Sequence, residues 1–92
     1  MPYIRGERRV LYDEAIARLS ESIGAETPAG DMSYVITRTL AGWLEERGTS
    51  YAALADVVAV LETAKLEFYR RVAGPYEDAK IAENGEVYGK LI

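Results

Sequence analysis

The chain has 92 residues, a net charge of −4, seven Tyr but one Trp and one Phe, and no Cys or His. That length is one domain's worth of sequence, and it buries only about 60–65% of its unfolded surface, so its core is thin. Without Cys or His there are no disulfides, thiolate nucleophiles, imidazole bases or usual zinc ligands, and any metal would be a hard cation held by carboxylates.

The acidic total argues against a mainly electrostatic nucleic-acid binder. No apolar run reaches the ~20 residues of a membrane span. The opening Met1-Pro2-Tyr3-Ile4-Arg5 lacks the apolar region of a signal peptide, so the expected setting is cytoplasmic.

Helical periodicity first appears over about 8–23. Leu11, Tyr12, Ala15, Ile16, Leu19 and Ile23 recur at three- and four-residue steps, with Asp13, Glu14, Arg18 and Glu21 off the stripe. Gly24 is a natural stop. Residues 24–30 read as a loop, because Pro28 disfavours helix at Thr27. Asp31 is placed to act as N-cap of a second helix over 31–47, whose apolar face is Met32, Val35, Ile36, Leu40 and Trp43. Gly48 ends it, and Thr49 or Ser50 caps the next helix after a very short turn. Such a link predicts antiparallel neighbours.

The third helix is predicted over 50–73. Leu54, Val57, Val58, Leu61, Phe68 and Val72 form its main face, and Ala52, Ala53, Ala55, Ala59 and Val60 line its back. Only Asp56, Thr63, Glu67 and Arg70 remain as a polar stripe, which predicts a central helix covered by other helices or by a second subunit. Gly74-Pro75 is a break, and Pro75 suits the first turn of a short fourth helix over 75–83, stopped by Asn84-Gly85. Val87, Tyr88, Leu91 and Ile92 follow without helical period. The expectation is a single all-α domain over 1–92: a three- to four-helix bundle with extended N- and C-terminal tails.

Several blocks carry a resemblance: Pro2-Tyr3-Ile4, Gly30-Asp31-Met32-Ser33-Tyr34-Val35-Ile36-Thr37-Arg38, Lys65 to Val72, Pro75-Tyr76-Glu77-Asp78 and Glu83 to Tyr88. Over nearly its whole length the chain resembles a family of small uncharacterised proteins of bacteria, archaea and phages. The resemblance implies no activity and supplies no catalytic residue or cofactor.

Lys65 falls near the middle of the third helix's main face, with Glu62 a turn before and Tyr69 a turn after. A fully buried lysine is rare and usually paired. Glu62, Lys65 and Tyr69 are therefore candidates for a polar pocket that binds a ligand or, in a small enzyme, does acid–base chemistry. The plainer reading has Lys65 snorkelling to water beside an i,i+3 partner, and base rates favour it. Tyr34 and Arg38, four apart on the second helix, can stack and are candidates for an anion or nucleic-acid patch, against the commoner solvated face.

A helix-turn-helix over Thr49–Arg71 fails at its turn, since Ala59-Val60-Leu61 has neither Gly nor a polar residue. A helical pyrophosphatase would need carboxylates paired at i,i+3 within a helix. Glu45-Glu46, Glu62, Glu67 and Glu77-Asp78 do not supply them.

The sequence thus favours a non-enzymatic protein–protein interaction or self-association module. Ala52, Ala59 and Val60 are its candidate interface. A protein partner or a second copy is the expected ligand, with no membrane, metal or cofactor.

Overall fold

The computed structural model describes residues 1–91. Every regular element among them is helical: α1 Gly6–Ser20, α2 Ala29–Arg47, α3 Tyr51–Phe68, a π-turn Tyr69–Ala73, α4 Gly74–Asn84 and a 3-10 turn Gly89–Leu91. The all-α class follows from the periodicity. Ile92, which the sequence groups with the apolar tail, lies outside the described residues. The chain divides into two compact units, residues 2–58 and residues 59 onward together with Met1.

In the first unit α1 starts two residues before its predicted limit. The Arg5 carbonyl accepts from the Arg8 and Arg9 amides at 3.0 and 3.1 Å. It ends at Ser20 rather than Ile23, because the last turn tightens: the Ser22 and Ile23 amides bond carbonyls three residues back, at 3.0 and 3.1 Å. The loop closes on itself as Thr27 Oγ1 accepts from the Gly24 amide at 2.9 Å.

Asp31 is not the cap of α2. Pro28 occupies that position in an extended conformation (φ −69, ψ 153), and its carbonyl already accepts from the Asp31 amide. Asp31 sits instead in the first turn, where its carboxylate complements the helix dipole.

Gly48 ends α2 at φ 82, and its amide bonds Leu44 O at 2.9 Å. Ser50 Oγ then accepts from the Ala53 amide at 3.1 Å, which makes Ser50 the cap of α3. The predicted antiparallel packing does not follow, since α2 and the opening turns of α3 do not lie side by side. Gly48 has an extended ψ of 143 rather than the αL value of a reversing cap. The corner is pinned by Arg47, which pairs with Asp56 at 2.7 Å and lies 5.2 Å from the Trp43 ring centroid.

In the second unit the predicted break at Gly74-Pro75 is a π-turn. Pro75 has no amide and would clash with a carbonyl four residues back in an unbroken α-helix. Widening the preceding turn relieves this: the Gly74 amide bonds Tyr69 O, five residues back. A Cβ at Gly74 would come within 3.2 Å of that same carbonyl, so the close approach favours glycine. Asn84-Gly85 ends α4 as predicted, with Gly85 at φ 96 and ψ 155 and its amide on Ile81 O at 2.7 Å. The tail beyond it is not extended. Glu86 Oε1 accepts from the Val87 and Tyr88 amides, and the 3-10 turn follows.

Among the described residues Ala53, 1% exposed, is the only buried apolar one. The α1 stripe of Leu11, Tyr12, Ile16 and Leu19 is exposed, as are Ile36 on α2 and Leu66 on α3. Val35, Leu40 and Leu44 are half-buried.

Candidate functional site

Helical spacing fixes which sequence candidates can meet. Glu62 and Lys65, three apart on α3, face each other, with Nζ 3.3 Å from Oε2 and side chains 54% and 68% exposed. Tyr69 does not join them. It stands at the first residue of the π-turn, and its Oη donates to Glu77 Oε1 on α4. That bond to a carboxylate, and next the negative charge itself, hold the Tyr69 hydroxyl above the usual tyrosine range. Tyr69, Gly74, Glu77, Ile81 and Tyr88 line an open groove that includes neither Glu62 nor Lys65.

Tyr34 and Arg38 do come together on α2. Arg38 Nη1 donates to Tyr34 Oη at 2.6 Å, and the guanidinium stands 5.6 Å from the ring centroid. Ala52, Ala59 and Val60 are all exposed on α3. α3 passes through Ala59-Val60-Leu61 as uninterrupted helix.

No group of three or more acidic side chains among the described residues is arranged to hold a metal ion. No described helix is long and apolar enough to cross a membrane.

Comparison with known proteins adds a family. A family model described as a domain of unknown function (DUF6899) matches residues 1–87. The chain belongs to this family. No curated protein and no solved structure matches it. The family's description assigns no chemistry, so none of the named residues acquires a role from it.

The pairing of Tyr69 with Glu77 was not foreseen from sequence. Eight residues separate them, outside the i,i+3 and i,i+4 spacings on which helix-surface pairs are read. The usable signal is Gly74-Pro75: a proline that follows a strong helical period without a polar loop must disturb the turn before it.

Proposed function

We propose that this protein is an interaction module whose helices complete their apolar core on another protein chain. One observation carries the reading. The residues that helical periodicity assigns to a core, on α1 and α3 above all, are exposed, and Ala53 alone among the described apolar residues is buried. Contiguous exposed apolar surface marks interaction sites rather than ordinary solvent-facing surface. A cysteine-free chain needs no oxidising compartment, and a cytoplasmic setting suits it.

A ligand site around Glu62, Lys65 and Tyr69 has less behind it, because Tyr69 turns toward Glu77 and the three do not converge. Thermal unfolding of the purified chain over a hundredfold range of concentration tests the interaction reading. A midpoint that rises with concentration, or a broad melt without cooperativity, supports it. A sharp melt that is independent of concentration, from a monomer, overturns it.

A further inference from the structure

We propose that Asn84 is a site of covalent self-modification: when the last turn of α4 opens, the Gly85 nitrogen attacks its side chain and turns residue 84 into aspartate or isoaspartate.

The reaction needs only what the chain holds and water. The Gly85 nitrogen, its proton lost to solvent base, adds to Asn84 Cγ. A C–N bond forms there, ammonia leaves, and a cyclic imide closes. Water then opens the ring at one of its carbonyls. Opening on one side leaves aspartate; opening on the other leaves isoaspartate, whose main chain runs through the former side chain. Nothing is oxidised or reduced, since the sum is a side-chain amide plus water giving a carboxylate and ammonium. Glycine favours the attack because no Cβ stands beside the nucleophile. Asn84 and Gly85 are both exposed, and nothing lies within 4 Å of where a Cβ on Gly85 would stand. Asn84 is also the chain's one asparagine, and the chain has no glutamine.

The fold sets two locks on this chemistry. The Gly85 amide donates to Ile81 O at 2.7 Å, so its N–H must leave that bond before solvent can take the proton. Asn84 is the last residue of α4. Ring closure needs the Gly85 nitrogen nearly eclipsed with Asn84 Cβ about the Cα–C bond, and a helical ψ of about −42° holds the two apart. Opening of the final turn releases both locks at once, and helix ends are where local opening costs least. The rate of modification therefore reads how often that turn opens.

The product does not restore the starting structure. Aspartate puts a new charge at the negative end of the α4 dipole, between Glu83 and Glu86. Isoaspartate adds a methylene to the main chain just before Gly85, so the amide no longer meets the Ile81 carbonyl in the same place. Either product weakens the stop at Gly85. The turn beyond it, where Glu86 Oε1 holds the Val87 and Tyr88 amides, then loses its anchor on α4. The change runs one way.

Ammonia release and intact mass, followed for the full chain at mildly alkaline pH, test this. Because no other side chain carries a carboxamide, all ammonia reports on Asn84, and Asn84→Asp supplies the blank. The native chain should react at least roughly tenfold more slowly than the same chain in guanidinium chloride. Ala82→Gly, which loosens the last turn without touching either reacting residue, should speed the native reaction roughly fivefold and leave the denatured rate unchanged. In the modified chain the Gly85 amide should exchange its hydrogen faster than before. A denatured chain that releases no ammonia would overturn the site. Equal native and denatured rates, or an Ala82→Gly chain no faster than the wild type, would overturn the gate. Unchanged protection at Gly85 after modification would overturn the one-way release.

Discussion

Along α3, Leu54, Val58, Leu61 and Phe68 stay in solvent, whereas from Tyr69 onward the polar groups turn back on their own segment. Tyr69 bonds Glu77, Lys80 pairs with Glu83 at 3.3 Å, and Glu86 holds the amides of Val87 and Tyr88. The exposed Val87 and Leu91 of this segment follow no helical period, and single apolar residues at a surface are ordinary. The difference separates two sources of stability. Local hydrogen bonds and caps act within one chain at any concentration, whereas an exposed apolar face contributes only when a second surface covers it.

The largest effect should come from the exposed apolar residues of α3. Leu61→Ala is expected to cost about 2–5 kcal/mol where the side chain is buried between chains, and denaturant titrations at high and low protein concentration should show that loss shrink on dilution. A loss of equal size at both concentrations would move Leu61 to the self-contained side of the comparison.

Gly85→Ala should act in the opposite manner. At φ 96 and ψ 155 any other residue is strained, so a cost of about 1–3 kcal/mol is expected, unchanged by dilution.

A smaller effect is expected at Glu62 and Lys65. A double-mutant cycle should give a coupling below about 0.5 kcal/mol, as for exposed ion pairs in general. A larger coupling would show that the pair is taken out of water.

The last effect is confined to alkaline pH. The hydrogen bond to Glu77 needs the Tyr69 proton, so its contribution is complete below the ordinary tyrosine pKa and is lost as pH rises through the raised one. An ultraviolet titration of the wild type should contain one late-ionising tyrosine that Tyr69→Phe removes. An unchanged titration curve would place Tyr69 among the ordinary surface tyrosines.

Much of the fold was legible because its punctuation is chemical. Gly48, Ser50 and Asn84-Gly85 stop or start helices where glycine conformations and a hydroxyl cap dictate. The misses share a cause. Asp31, Pro28 and the π-turn at Tyr69 are settled by which of two neighbouring residues takes a backbone role, and residue type alone does not rank such competitors. The exposed pairing of Glu62 with Lys65 followed from spacing. Tyr69 on Glu77 did not, because a π-turn lies between them. Periodicity also named the apolar faces without stating what covers them. A stripe reads the same whether its cover is the same chain or another.

Trp43 is the chain's one indole, and it lies under the guanidinium that pins the α2–α3 corner, 5.2 Å from its ring. The protein thus carries an intrinsic optical label at a single joint. Its emission is free of overlap from other tryptophans, so that corner can be watched in time without attaching a dye.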